Sequence, residues 1–434
     1  MDHAPTGTGE PHKYESNEDY ARGLDASDSL AGFRSRFELP ATAGGTPRVY
    51  LLGNSLGPLP RATRADLASE LDAWAGRGVE SYFEAPSNWY DADARYRGVM
   101  SRIVGAEVDE VALMNGLTVN LHLLLASFFR PEGRRRRVLI ERPAFPSDRY
   151  VVETQLRWHG IDPAEGILEV GSERDGIRED EIEDILADGG DEIALVFLGG
   201  VNFLSGQALD IGRITRAAHA AGCVAGFDLA HAAGNIPLAL HDDAVDFAAW
   251  CTYKYLNSGP GSVAGLFVHR RHASDRGLLR LGGWWGNDPE TRFEMQQLPG
   301  FVPRADAAGW QLSCPPVLAL APLGAALGMF DEAGMPALRA KSVRLTGYLE
   351  WLIAEAGTAV RQITPAEPAR RGAQLSLHLA GAPAAQAALS ERGVDVDLRK
   401  PDVLRLAPAP LFNTYLDAWK AARALHEVVG GGAA

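Results

Sequence analysis

Two charged residues stand at the ends of apolar runs. Asp228 closes Val224-Ala225-Gly226-Phe227, and Lys254 comes shortly after Phe247-Ala248-Ala249-Trp250. An ionised carboxylate or ammonium is rarely left in such a setting without a partner. The two runs read as neighbouring strands whose C-terminal ends deliver the pair to one place. Ligands in open α/β sheets bind just outside those ends. A pyridine ring carrying an aldehyde satisfies both groups: the carboxylate keeps the ring nitrogen protonated and the lysine amine forms a Schiff base. Asp and Lys at strand ends are common, so spacing alone leaves an ordinary structural pair as the alternative.

Other segments carry complementary chemistry. Val111 to Gly116 is an apolar segment that ends at glycine and leads into Leu117-Thr118-Val119-Asn120. A helix starting there offers free backbone N–H groups to an anion such as a phosphate; an ordinary N-cap has the same pattern. In Phe145-Pro146-Ser147-Asp148 the phenyl ring could stack on a flat heteroaromatic ring and the acid could hydrogen-bond it, although a core phenylalanine reads alike. Arg405, in LRLAPAPLFNTY, has the planar guanidinium that suits a bidentate carboxylate, or else sits on the surface.

Together these strings resemble the kynureninases, fold-type I pyridoxal-phosphate enzymes related to class V aminotransferases. The matching strings are YLLGNSLGP with Asn54 and Ser55, MNGLTVNLHLLL, FPSD at 145–148, DLAH at 228–231 with Tyr253-Lys254, and the arginine segment. The resemblance implies that Leu117, Thr118, Phe145, Ser147, Asp148, Asp228, His231, Tyr253, Lys254, Trp284 and Cys314 bind the cofactor. It implies that Lys254 is the proton shuttle, that Tyr253 exchanges protons at the bond being broken, and that Asp228 holds the ring nitrogen. Arg405 then fixes the substrate α-carboxylate, with Tyr82, Asn287, Asn54 and Ser55 on the substrate side. The implied reaction is hydrolysis of the Cβ–Cγ bond of kynurenine or a substituted kynurenine to an anthranilate and alanine, a step of tryptophan catabolism. The implied assembly is a homodimer with shared sites.

Several positions depart from the family's pattern. Asn287 stands where histidine is usual, Cys314 where asparagine or threonine is usual, Tyr82 near an early-loop histidine, and Gly199 at a serine assigned near the phosphate. These keep open an alternative: a homologue acting on another amino acid by β-elimination, decarboxylation or deamination.

The elements that must position these residues follow from periodicity. A helix over Asp210 to Ala221 has Ile211, Ile214 and Ala218 on one face, Asp210 as N-cap and Gly222 as terminator. Strands on both sides of it imply a right-handed crossover and a parallel sheet. A helix near Leu67, Leu71 and Trp74 has an apolar face at i, i+4, i+7. Ser81 to Tyr96 is aromatic and irregular, as in an active-site loop. Beyond about residue 330 a long helix, alternating strands and a last helix form an α+β unit.

The expected fold is therefore α/β: a large domain with a mostly parallel seven-stranded sheet between helices, and a smaller C-terminal α+β domain. The expected division is a disordered tail over 1–22, an N-terminal segment packing on both domains over 23–80, the cofactor-binding domain over 81–330, and the small domain over 331–434.

Composition bounds the rest. The 434 residues, 46% hydrophobic and 23% charged, suit a globular chain with a large core. A net charge of −14 argues against a nucleic-acid or anionic-membrane surface. The 3 cysteines lack CxxC spacing, which fits a reducing compartment and gives no zinc site. No apolar run reaches membrane-spanning length and the N-terminus lacks signal-peptide patterning, so a cytoplasmic protein without a metal is expected.

Overall fold

The computed structural model describes residues 14–84, 88–172 and 176–430. Short apolar runs become the strands of one sheet: β1 (Val111–Met114), β2 (Arg137–Glu141), β3 (Ile167–Val170), β4 (Ile193–Gly199), β5 (Val224–Asp228), β6 (Phe247–Trp250) and β7 (Ala264–Val268). Their order is β1-β7-β6-β5-β4-β2-β3. Only β7 runs against its neighbours; the other adjacent pairs are parallel. The runs are continuously apolar because both faces are covered. In β6, Ala248 and Trp250 join one apolar cluster, and Phe247 and Ala249 join another on the opposite face.

The helices that matter for the site are α1 (Glu18–Ala26), α2 (Thr63–Arg77), α3 (Leu117–Phe128), α4 (Pro146–Trp158), α5 (Ile211–Ala220), α6 (Met335–Glu355) and α7 (Tyr415–Gly430). α5 starts as its sequence requires, with the Asp210 side chain accepting from Arg213 N at 2.8 Å. Gly222, at φ 73°, ends it and turns the chain into β5.

The C-terminal domain has a four-stranded antiparallel sheet of β8 (Arg361–Gln362), β9 (Leu375–His378), β10 (Asp397–Arg399) and β11 (Val403–Leu406), in the order β8-β9-β11-β10. Leu345, Leu349, Leu404, Leu406 and Trp419 pack a separate core there with α6 and α7. The N-terminal segment is bound into this domain. Val49–Tyr50 pairs in parallel with Val394–Asp395, and Ala21 of α1 lies in the C-terminal core. Residues 1–13 of the expected tail lie outside the described residues. Residues 14–22, also expected to be disordered, are instead ordered: Tyr14 and Tyr20 pack on Tyr348, and Asn17 caps α1. Two tyrosines at the end of a polar stretch are enough apolar surface to dock it.

α2 corrects a second expectation. Leu71 and Trp74 are exposed, Trp74 at 61%, and the buried face carries Glu70 and Ala73. Glu70 accepts from Trp89 Nε1 at 2.5 Å and pairs with Arg95, so a carboxylate rather than the apolar stripe faces the protein. Among the described residues no single helix is long and apolar enough to cross a membrane. A bent pair, Val317–Ala333 with Met335–Glu355, passes the length and composition test at an 83° bend. Leu323, Leu327, Leu345 and Leu349 of that pair are fully buried in the protein's own cores.

Candidate active site

Asp228 is the last residue of β5, paired with Gly199 on β4 and Ala249 on β6. The chain leaves β6 at Trp250 and turns over residues 252–258, closed by Ser258 N donating to Thr252 O and Asn257 N donating to Lys254 O. That turn carries Lys254 back over the sheet edge. The N-terminal GNSLG segment presses on it: Gly57 N donates to Tyr253 O at 2.8 Å. A Cβ at Gly57 would lie 2.7 Å from Lys254 O and 2.2 Å from Asn257 Oδ1, so this close approach requires glycine.

The result is a cavity of about 470 Å³. At one end α3 begins. Its first intrahelical bond is Asn120 N to Gly116 O, which leaves the N–H groups of Leu117, Thr118 and Val119 to a ligand. Thr118 Oγ1 and Ser147 Oγ stand 3.0 Å apart beside them. At the other end lie three buried carboxyls, Asp228, Asp148 and Glu141. Burial, then the charge of Asp228 and its hydrogen bond, push the Asp148 carboxyl well above the ordinary range, so it can donate to Asp228. Between the ends, Lys254 Nζ lies 3.2 Å from His231 Nε2 and 5.9 Å from the Phe145 ring centroid. Burial, reinforced by Lys254, holds His231 neutral, and its buried Nδ1 has no partner among the described residues. Burial, then Cys251 beside it, keeps the Tyr253 phenol protonated far above neutrality.

A pyridoxal phosphate fits this donor set. A helix N-terminus with two hydroxyls suits the phosphate, a carboxylate suits the ring nitrogen, Phe145 offers a stacking face, and one amine suits the aldehyde.

On the substrate side, Asn54 and Ser55 line the same cavity. Arg405 is fully buried: Nε donates to Asp397 Oδ2 at 2.6 Å, Nη1 to Phe203 O at 2.6 Å, and Nη2 lies 3.5 Å from Ser55 Oγ. Of the residues singled out from sequence, Leu117, Thr118, Phe145, Ser147, Asp148, Asp228, His231, Tyr253, Lys254, Asn54 and Ser55 surround this one space. Five do not line it within one chain, Arg405 among them, since it is buried behind Ser55. Cys314 lines an adjoining cavity of about 520 Å³ that shares Gly116 and Tyr253. Trp284 packs edge-on against Trp285, and Tyr82 edge-on against Trp89. Asn287 is buried with Oδ1 accepting from Val302 N at 2.9 Å, so it organises its own loop. Gly199 is not at the phosphate end either; it abuts Glu141 beside Asp228.

Sequence reading missed Glu141, Phe203, Asp397 and Arg399. Glu141 ends the apolar run RVLIE as Asp228 ends VAGFD, so the same rule finds it. Arg399 lines the cavity and forms an ion pair with Asp397, which accepts a hydrogen bond from Arg405. Alternation along β10 places the first two on one face, but only the Asp397–Arg405 register brings the third.

The sequence profile of the kynureninase C-terminal domain matches residues 338–425. The kynureninase of Myxococcus xanthus is 49% identical over 420 residues, covering 96% of this chain and 98% of that one. That of Salinispora tropica is 50% identical over 418 residues, covering 94% and 96%, and that of Xanthomonas euvesicatoria is 52% identical over 405 residues, covering 92% and 95%. Among solved structures, the cysteine desulfurase CsdA of Escherichia coli superposes with a TM-score of 0.74 at 18% identity, covering 93% of this chain and 98% of that one. The apo cysteine desulfurase of Thermococcus onnurineus gives 0.73 at 14%, covering 88% and 95%. The desulfurases share the fold alone, whereas half of all positions agree with the kynureninases along nearly the whole of both chains, and the protein belongs to the kynureninase family.

Proposed function

We infer that the protein is a pyridoxal-phosphate-dependent hydrolase that cleaves the Cβ–Cγ bond of L-kynurenine or a ring-substituted kynurenine, releasing an anthranilate and L-alanine. The observation that carries this is the meeting of Lys254, Asp228 and the α3 N-terminus around one cavity in a chain half identical to kynureninases. The alternative of a relative diverted to another amino acid is not favoured at that identity. The purified holoenzyme should convert L-kynurenine or its 3-hydroxy form to the corresponding anthranilate and alanine in equal amounts, read by fluorescence and mass. Absence of both products from both substrates would overturn the reading.

Bound pyridoxal phosphate supplies an aldehyde that links to an amino group and a protonated ring that draws electrons from the substrate's Cα. The chain's residues do the rest. Asp228 would face the ring nitrogen, and Phe145 would cover one ring face. Leu117, Thr118 and Ser147 would hold the phosphate. Lys254 Nζ takes the proton from Cα and returns it later; its neutral neighbour His231 does not compete for that proton. Tyr253, kept protonated by burial, holds its proton for exchange at the substrate carbonyl when water attacks Cγ. Ser55 and Arg405 orient the α-carboxylate.

We propose that two chains complete the sites. Leu71, Trp74, Val79, Phe83 and Phe293 are large apolar side chains left exposed, more than an isolated surface needs. Trp284 and Cys314, the cofactor positions outside the chain's own cavity, are then the ones a partner supplies. On the same footing the large domain takes residues 81–330 and the small domain 331–434, with 23–80 packed on both. Three free cysteines support a reducing, cytoplasmic setting in tryptophan catabolism.

A further inference from the structure

We propose that Glu141 is a positioning residue: from beside Asp228 it fixes the turn over residues 200–207, and that turn's Phe203 carbonyl holds Arg405 in register for the substrate carboxylate. Glu141 ends β2 and is buried. Its Oε2 accepts from Gly199 N at 2.6 Å and its Oε1 from Asn202 Nδ2 at 3.1 Å. Asn202 is the hub of the turn. Its Oδ1 accepts from Leu204 N at 3.1 Å and Ser205 N at 3.0 Å, and its backbone closes on Gln207 O and Gly206 N. The turn points two successive carbonyls at the C-terminal domain. Phe203 O receives Arg405 Nη1 at 2.6 Å, and Leu204 O receives Ser376 Oγ at 2.6 Å. The Phe203 ring meets Phe145 edge-on at 5.3 Å, so the same turn also backs the ring-stacking phenylalanine.

Glu141 lies at the Asp228 end of the cavity, away from Arg405, and its effect reaches Arg405 through Asn202 and Phe203. Two donors converge on the two carboxyl oxygens, and an amide in their place offers one acceptor oxygen only. In Glu141→Gln one donor, Gly199 N–H or Asn202 Nδ2, must face an amide NH2. The proposal rests on Arg405 as the carboxylate-binding group, as argued above.

The test uses the holoenzyme and two competitive inhibitors, an α-amino acid analogue of the substrate and the same molecule without its carboxylate. Glu141→Gln should weaken the amino acid roughly tenfold, as for one lost hydrogen bond, and leave the decarboxylated inhibitor within twofold. KM should rise more than kcat falls. Asn202→Ala, which attacks the relay from the turn without touching the buried acid, should do the same. In an Arg405→Met background, adding Glu141→Gln should change amino-acid binding less than twofold. Equal weakening of both inhibitors, or full additivity with Arg405→Met, would overturn the proposal by reducing Glu141 to a structural acid. Unchanged binding in Glu141→Gln alongside a loss in Arg405→Met overturns the proposal alone. Unchanged binding in Arg405→Met removes the carboxylate reading and this proposal with it.

Discussion

At the scale of single residues, two buried carboxylates respond to pH in opposite directions. Burial raises Glu141 to about 7, with Asp228 adding to the rise and the bonds from Gly199 and Asn202 opposing it. Its unfolded value is near 4.3, so the folded chain holds this proton where the unfolded chain does not. Its contribution is complete below about pH 4.3 and is lost as pH rises to about 7, on the order of 2–4 kcal/mol. Subtracting the pH–stability curve of apo Glu141→Gln from that of the apo wild type should show this slope; parallel curves would refute it. Burial alone would raise Asp246 as well. His219 at 2.8 Å, His272 at 2.7 Å, Ala225 N at 2.7 Å and Arg271 outweigh burial and hold it far below the carboxylate range. Its contribution is present above about pH 3.9 and fades as pH falls below that. Asp246→Ala removes the buried carboxylate that His219, His272, Arg271 and Ala225 N share, and thermal unfolding at pH 7 should show a loss of about 1–3 kcal/mol. Asp228 and Lys254 were legible in sequence because a charge at the end of an apolar run needs a local reason. The state of Glu141 was not, because Gly199 and Asn202 reach it from another strand and loop, and no local pattern records that meeting.

At the scale of elements, α3 shows what a helix start is worth. Three free N–H groups and the Thr118 hydroxyl form the phosphate end, and Thr118 is exposed without a packing role. Thr118→Ala should therefore raise the dissociation constant for pyridoxal phosphate roughly tenfold while leaving the apo-protein's melting temperature unchanged. Absorbance during dialysis and a melting curve of apo-protein measure the two; a lower apo melting temperature would mean a structural rather than phosphate-binding threonine. Strand and helix existence was legible from apolar runs, from Asp210 and from Gly222. The antiparallel direction of β7 was not, since an apolar run reads the same both ways. α2 shows the same limit: periodicity marks Leu71 and Trp74 as one face but cannot say whether that face meets a core or another molecule.

At the scale of the whole molecule, the positions that sequence resemblance ties to the cofactor divide into those around the chain's own cavity and two outside it, Trp284 and Cys314. The proposed symmetric pair would resolve the division, because in a two-fold assembly each chain can lend to its partner's site what its own site lacks. Trp284→Ala and Lys254→Ala should each be inactive alone. Unfolded and refolded together in equal amounts, they should form hybrid dimers in which one site has lost its lysine. The other site then holds an intact Lys254 from one chain and an intact Trp284 from the other. With random pairing roughly a quarter of wild-type activity should return. If Trp284 instead served the site of its own chain, every site in every hybrid would carry one lesion, and mixing would restore nothing.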